Sequence, residues 1–306
     1  MDKGSIYYKQ VQLLVQVLPL VAQEKCFALK GGTAINLFVR DLPRLSVDID
    51  LVYLPVKSRD DSLADIKRAL GRITDSIGNS IADSSVHKSY EDKPDALRLI
   101  IKKAGVQIKV ELSPVMRGTA YDPEGCAVTE SVEDEFGFVE MPVVALSDLY
   151  GGKICAALDR QHPRDLFDVK LLLENEGITD EIRKACLVYL ISHNRPISEL
   201  LSPKLKDITA VFKSEFSSMT DIEISIEELV ETRDTLIKTL TASITDEEKQ
   251  FLLSFKRRSP EWGLLGIDGV KELPAVKWKQ INLGKMSAAK HAKALQKLES
   301  VIQAMN

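Results

Sequence analysis

KGGTAI at residues 30–35 and RLSVDIDL at residues 44–51 are the two segments that decide the fold of the first half of this chain. In the second segment, apolar and polar residues alternate, which predicts a β-strand with one apolar face. Asp48 and Asp50 therefore share the other face, about 6.5 to 7 Å apart along the backbone. Two carboxylates at this spacing suit divalent cations, and Mg²⁺ prefers such oxygen ligands.

The two glycines of the first segment mark a turn from a strand into a helix. An apolar run over residues 26–29 precedes them, and a helical pattern over 34–38 follows. Glycine lets the backbone approach a ligand closely, and the first amides of a helix favour phosphate. We therefore predict that Gly31, Gly32 and the Thr33 hydroxyl seat the phosphates of a nucleotide.

A third carboxylate is predicted on a second strand. Residues 106–112 alternate in the same way, with Glu111 on the polar face, and residues 97–101 form a hairpin with them through residues 103–105. Nucleotidyltransferases of the polymerase-β type usually carry a third carboxylate on a nearby strand, and Glu111 fits that place. The alternative interpretation of Glu111 is an ordinary solvated strand face.

With these motifs in place, the sequence resembles the AbiEii/AbiGii family of nucleotidyltransferase toxins, which includes the Men-type tRNA-modifying toxins of type IV toxin-antitoxin systems. The resemblance implies a polymerase-β-like α/β nucleotidyltransferase domain with a mixed sheet, followed by an α-helical C-terminal domain. The segments that carry it are residues 31–34 with 44–51, 108–111, 153–158, 164–169 and 276–283.

The resemblance also implies roles for individual residues. Asp48 and Asp50 would hold two Mg²⁺ ions, while Glu111 would complete the second metal site or help to deprotonate the attacking hydroxyl. Lys153 would neutralise the leaving pyrophosphate, and Asp165 would act beside it. The remaining predicted substrate-binding residues are Arg44, Ser46, Arg164 and Asp168.

The residues themselves leave alternatives open for the second half. Asp165 and Asp168 lie on neighbouring helical turns, where one of them could orient Lys153 or a nucleotide hydroxyl. Acidic residues in the first turn of a helix are also stabilised by the helix dipole, so a purely structural role is the alternative.

The function that the resemblance implies is that of a toxin which moves a nucleoside monophosphate from an NTP to an RNA hydroxyl. The tRNA 3′ end is the expected acceptor, and its extension would block aminoacylation and translation. A cognate antitoxin protein is the expected partner. The alternatives are a nucleotidyltransferase acting on a protein or small molecule, and a non-catalytic binding module. The motifs do not specify the base of the NTP.

Length and composition indicate two domains, residues 1–145 and 146–306, in a chain of 306 residues with 44% hydrophobic content. The four cysteines and four histidines are scattered, which argues against zinc and against a disulfide framework. The apolar segment 11–22 is interrupted by glutamines and predicts an amphipathic first helix rather than a signal peptide. No segment is long enough to span a bilayer, so the cytoplasm is the expected location.

The charge is distributed unevenly along the chain. Residues 271–306 contain seven lysines and two glutamates, a local net charge of +5, whereas the whole chain carries −4. This basic C-terminal element, with a second cluster at residues 256–258, could hold an RNA backbone; a solvated helix face is the alternative for each lysine. Trp278 could stack on an unpaired base, but a tryptophan in a helical domain is more often part of the core, so Trp278 is expected in the core and outside the predicted site.

Overall fold

The computed structural model describes residues 3–305, which form two compact units. The first unit extends to Ala145 and also includes Ser218–Glu223. The second unit comprises Leu146–Ser217 and the chain from Ile224 onward. Nothing in the sequence indicated that Ser218–Glu223 returns to the first unit. The assignment of separate functions to the two halves of the chain stays a prediction.

The first unit is built on a β-sheet. Its strands are β1 (Phe27–Lys30), β2 (Asp48–Tyr53), β3 (Ser84–Lys88), β4 (Arg98–Lys103), β5 (Val106–Leu112), β6 (Glu124–Ala127) and β7 (Glu140–Val143). Among the described residues these seven strands form one sheet in the order β3-β4-β5-β2-β1-β7-β6.

The sheet is mixed, which confirms the predicted fold class. Its central strand β2 pairs antiparallel with β1 and parallel with β5, and β1 pairs parallel with β7. The other neighbouring strands are antiparallel. Strands β4 and β5 form the predicted hairpin, and its two-residue turn places Ala104 and Gly105 at positive φ.

The first unit also contains helices. They are α1 (Ile6–Val21), α2 (Gly31–Ala34), which continues into a π-helix (Ile35–Val39), α3 (Arg59–Ser80), α4 (Ser89–Asp92) and α5 (Glu130–Phe136). The predicted amphipathic first helix is confirmed, since α1 packs on β5 and α3 through fully buried side chains such as Val11 and Leu14. In β2 and β5 the apolar residues are buried, whereas Asp48, Asp50 and Glu111 on the other face are half-buried.

The second unit is helical, as predicted. Its helices are α6 (Leu146–Arg160), α7 (Pro163–Asn175), α8 (Asp180–Ser192), α9 (Ile197–Leu201), α10 (Thr209–Glu215), α11 (Ile226–Ser243), α12 (Asp246–Lys256), α13 (Pro274–Gly284) and α14 (Ala288–Gln303). Helix α6 packs against α7 and α8, and α13 packs against α8. Within residues 3–305, none of the helices combines the length and the apolar character required to cross a lipid bilayer.

Candidate active site

A row of four charged side chains crosses the centre of the sheet. In the strand register, Asp50 of β2 lies between Lys30 of β1 and Glu111 of β5, and Glu111 lies beside Arg98 of β4. Residues in register project from the same face of a sheet, with neighbouring strands about 4.8 Å apart. We call Lys30, Asp50, Glu111 and Arg98 the charged row; two carboxylates lie at its centre and a cation lies at each end.

The charged row contains two residues that the sequence analysis missed. Lys30 and Arg98 were given no role, because a single sequence does not reveal which residues of separate strands lie in register. Glu111 was placed correctly on the polar face of its strand. Asp48 lies two residues before Asp50 on the same face, beside Lys109 of β5.

The backbone of the glycine turn lies against the charged row. Gly31 has a φ of +77°, and a Cβ at this position would lie 2.6 Å from Oδ2 of Asp50. A Cβ on Gly32 would lie 2.8 Å from Nη2 of Arg44 and 2.9 Å from Oγ of Ser46. Side chains larger than hydrogen would therefore collide with the predicted site at both positions. The two glycines are explained by this close approach.

Gly31→Ala is expected to lower the free energy of unfolding by about 1–3 kcal/mol, because it combines a left-handed backbone with a steric clash at Asp50. Gly71→Ala is the matched control. Gly71 lies within α3, where an added Cβ meets open space, so this change should stabilise the protein by about 0.5–1 kcal/mol. Urea denaturation measures the free energy of unfolding of both variants. Equal stability of Gly31→Ala and Gly71→Ala would contradict the described turn.

Thr33, Arg44 and Ser46 are buried beside the turn. The Thr33 hydroxyl donates to the backbone carbonyl oxygen of Asp48 and lies 3.0 Å from Oγ of Ser46. Nη1 of Arg44 donates to the carbonyl oxygen of Leu45 at 2.9 Å. These side chains brace the start of β2, and Thr33 could contact a phosphate through its hydroxyl only by giving up the bond to Asp48. Their role in substrate binding stays a prediction.

A segment far away in sequence holds the loop before β2. The backbone amide of Leu45 donates to the carbonyl oxygen of Met219 at 2.7 Å, and the Thr220 hydroxyl donates to the carbonyl oxygen of Pro43 at the same distance. Neither partner could be predicted from the sequence, since nothing local links residues 218–223 to this loop. They position the residues that precede the Asp48 and Asp50 pair.

The fit of the carboxylates to a metal ion is partial. Asp48 and Asp50 offer hard oxygen donors on one face, which suits Mg²⁺ when substrate phosphates supply the other ligands. Glu111 instead forms an ion pair with Arg98. Among residues 3–305, no group of three or more His, Cys, Asp or Glu side chains is arranged to hold a metal ion. Glu111 would have to leave Arg98 to join the two aspartates.

An open cleft of about 290 Å³ lies over the charged row. Polar residues from the row and from the loops beside it line this cleft: Lys30, Asp50, Asp95, Arg98, Glu111 and Ser113. Asp95 is bound by Arg59 at 2.9 Å. The cleft therefore brings cations and carboxylates together over the predicted metal-binding strand.

Three of the other predicted site residues, Lys153, Asp165 and Asp168, form a buried cluster between α6 and α7. Nζ of Lys153 lies 2.9 Å from Oδ1 of Asp165 and 3.0 Å from Oδ2 of Asp168. Arg160 also binds Asp165. From the sequence, one of the two aspartates could orient Lys153 or a nucleotide hydroxyl, and in the structure both carboxylates bind the Lys153 ammonium group. Arg164 is half-buried at the start of α7, where its backbone amide donates to Nδ1 of His162 at 3.1 Å.

Asp165 remains ionised in this cluster. Burial by itself would raise the pKa of its carboxyl group, but the charges and hydrogen bonds of Lys153 and Arg160 outweigh burial and hold the pKa far below its ordinary value. Asp165 is therefore unsuited to donate a proton at neutral pH. It fixes the position of the Lys153 ammonium group, and the predicted contact of Lys153 with pyrophosphate stays a prediction.

The expectation that Trp278 lies in the core is wrong. Its side chain is 52% exposed, because α13 turns Val276 and Leu283 inward instead. One lysine of the basic C-terminal element is also unavailable to a ligand: Nζ of Lys279 donates to the backbone carbonyl oxygens of His193 and Arg195 at the end of α8. A cation at this position satisfies carbonyl groups that the helix leaves unpaired.

Comparison with known proteins agrees with this fold. A family model described as nucleotidyl transferase AbiEii toxin, type IV TA system, matches residues 12–279. Among solved structures, the chain is similar to MenT4, a nucleotidyltransferase toxin from Mycobacterium tuberculosis H37Rv, with a TM-score of 0.63, 14% sequence identity and coverage of 97% of this chain and 95% of that chain. No curated protein matches the sequence. Because the family model spans most of the chain, this protein belongs to the AbiEii family of nucleotidyltransferase toxins of type IV toxin-antitoxin systems.

Proposed function

We propose that this toxin transfers a nucleoside monophosphate from an NTP to a hydroxyl group of RNA, at the 3′ end of tRNA, and releases pyrophosphate. The observation that carries the proposal is the contact between the glycine turn and the charged row, where the backbone of Gly31 lies against the Asp50 carboxylate. A phosphate bound at the turn would face this carboxylate. The two anions would repel each other unless a divalent cation joined them.

Asp48 and Asp50 are the residues that would hold Mg²⁺, with two ions in all and Glu111 as the third carboxylate. Bound Mg²⁺ supplies electrostatic stabilisation of the charge that develops on the phosphate oxygens. Gly31 and Gly32 would seat the β- and γ-phosphates on their backbone amides. Lys30 adds positive charge beside Asp50, where the triphosphate would lie.

The transfer needs no covalent enzyme intermediate. The oxygen of the acceptor hydroxyl bonds to the α-phosphorus, the bond from the α-phosphorus to the bridging oxygen breaks, and pyrophosphate leaves with that oxygen. Glu111 is the candidate acceptor for the hydroxyl proton once it has separated from Arg98. Lys153 would neutralise the pyrophosphate, with its ammonium group held by Asp165 and Asp168. Positioning and electrostatics supply most of the rate enhancement.

RNA is the proposed acceptor because exposed basic side chains cluster near the C-terminus, a feature that a small-molecule substrate would not require. The family resemblance suggests that the acceptor hydroxyl lies at the 3′ end of tRNA. Extension of that end would prevent aminoacylation and arrest translation, which accounts for toxicity. The cognate antitoxin would relieve it.

The test is to incubate purified protein with Mg²⁺, total RNA and each of the four NTPs labelled at the α-phosphate. We expect labelled RNA of tRNA size with the wild type and none with Asp48→Ala. RNA oxidised with periodate, which destroys the terminal 3′ hydroxyl, should remain unlabelled. Label that appears on protein or a small molecule instead of RNA would contradict the proposed acceptor. RNA labelling that persists in Asp48→Ala would contradict the proposed site.

A further inference from the structure

Helix α13 presents a large aromatic side chain to solvent. Trp278 is 52% exposed and Ile281 is 49% exposed. Asn282 and Lys285 are exposed as well, and positions three, four and seven residues after Trp278 lie on the same face of a helix. Nζ of Lys285 lies over the Trp278 ring, 5.8 Å from its centre, in a cation–π arrangement.

The opposite side of α13 is packed into the protein and fixes the position of this exposed face. Val276 is fully buried and Leu283 is 4% exposed on the inner side of the helix. Lys279 binds the backbone carbonyl oxygens of His193 and Arg195, and burial lowers its pKa to about 8, with a further contribution from the nearby charge of Lys256. The indole is therefore displayed from a fixed helix, which reduces the entropy lost when a ligand binds.

Two basic clusters that are separate in sequence meet beside this helix. Nη2 of Arg258 donates to the carbonyl oxygen of Met286 at 3.0 Å, which brings the end of α12 to the turn between α13 and α14. Lys290 and Lys293 are exposed in the first two turns of α14. Arg258 therefore lies close to the turn that connects Lys285 on α13 to Lys290 and Lys293 on α14.

Two acidic side chains of this region are paired with basic side chains. Glu272 binds Lys277 at 2.6 Å, and Glu299 binds Arg257 at 2.8 Å. They therefore offset only those two cations. The surface combines an exposed indole with net positive charge.

We infer that Trp278 and the basic side chains around it form a binding surface for single-stranded RNA, on which Trp278 stacks against an unpaired base. The surface is defined by Trp278, Lys285, Lys290, Lys293 and Arg258. Phosphates pair with its cations, and the base covers the exposed indole. This inference rests on the proposed function, since it identifies an unpaired end as the part of the acceptor RNA that is recognised.

The protein contains two tryptophans, which permits a direct fluorescence test. Trp262 packs against the rings of Phe251 and Phe255, with ring centres 5.5 Å and 6.1 Å away. Trp262→Phe therefore leaves Trp278 as the single reporter. We expect a hairpin RNA with a four-nucleotide 3′ overhang to quench its emission, and the same hairpin with a blunt end to quench it far less. Omission of NTP and Mg²⁺ separates binding from catalysis.

Substitutions then test stacking itself. Trp278→Ala should weaken binding of the overhang RNA by about 5- to 100-fold, and Trp278→Phe should retain most of the affinity. Ile281→Ala, the matched control on the same helix face, should change affinity less than about 2-fold. Absence of quenching by the overhang RNA would overturn the inference, as would equal affinities of wild type and Trp278→Ala. Quenching by purified antitoxin but not by RNA would also overturn it and identify a protein interface.

The failure of this inference and the failure of the proposed function give different results. Overhang RNA that binds in a Trp278-dependent way but is never labelled by NTP would contradict the proposed transfer and support the binding surface. Labelled RNA with wild-type activity and affinity in Trp278→Ala would support the transfer and contradict the binding surface.

Discussion

Asp50→Asn is expected to reduce nucleotidyl transfer by about a thousand-fold while the protein remains folded. The amide keeps the shape of the side chain but removes the charge that would help to hold Mg²⁺. Asp50 lies between a cation, Lys30, and a carboxylate, Glu111, so loss of its charge removes one favourable and one unfavourable interaction. The free energy of unfolding should therefore change by less than about 1 kcal/mol. Asp48→Asn should behave in the same way.

Asp75→Asn is the matched control for these variants. Asp75 is an exposed carboxylate on α3 of the same unit, and its substitution should leave transfer and stability unchanged. Transfer is measured with the labelled NTP assay, and stability by urea denaturation of the same preparations. Asp50→Asn with wild-type activity would show that the charged row is not the catalytic centre.

Asp165→Asn is expected to lower the free energy of unfolding by about 3–5 kcal/mol, the largest effect on stability that we predict. Asp165 is fully buried and binds both Lys153 and Arg160. Without the charge of Asp165, the buried Lys153 ammonium group keeps Asp168 as a partner but loses its second carboxylate. The substitution removes one of the carboxylates that bind the buried Lys153 ammonium group, and water cannot replace the lost interaction at this buried position, so a large destabilisation is expected.

The acid dependence of stability should change in the same variant. The pKa of Asp165 is held far below its ordinary value by Lys153 and Arg160, so its contribution is fully present above about pH 4 and is lost as the pH falls further. Wild-type protein should consequently lose stability more steeply than Asp165→Asn below pH 4. Urea denaturation between pH 2.5 and 7 measures both curves.

Asp180→Asn is the control for the buried pair. Asp180 binds Arg183 at 2.7 Å, but its side chain is 77% exposed, so water screens the interaction. Its substitution should change the free energy of unfolding by less than about 1 kcal/mol. If Asp165→Asn were as mild as Asp180→Asn, the cluster between α6 and α7 would not be formed as described.

Local patterns in the sequence predicted much of the fold. The alternation over residues 106–112 identified β5 and its hairpin, and the apolar periodicity over residues 11–22 identified α1. Such patterns succeed because a strand with a period of 2 and a helix with a period of 3.6 each place their apolar residues on one face. The pattern failed for Trp278, since it does not show which side of α13 meets the rest of the unit.

Part of the candidate site could also be predicted from residue spacing within one segment. Asp48 and Asp50 share a face because they are two residues apart in one strand, and this follows from the sequence alone. The other members of the charged row come from other strands, so the positions of Lys30 and Arg98 in it could not be predicted from the sequence. The pairing of Glu111 with Arg98 is likewise a consequence of register.

The sequence by itself determined the two aspartates on one strand face, the glycine turn before them and the helical character of the second half, because these depend on spacing along one segment. The tertiary structure decided the rest: the charged row, the attachment of Met219 to the loop before β2, and the exposure of Trp278 beside Arg258. Those features depend on which distant segments pack together. Packing minimises the free energy of the whole chain, so no single segment specifies it.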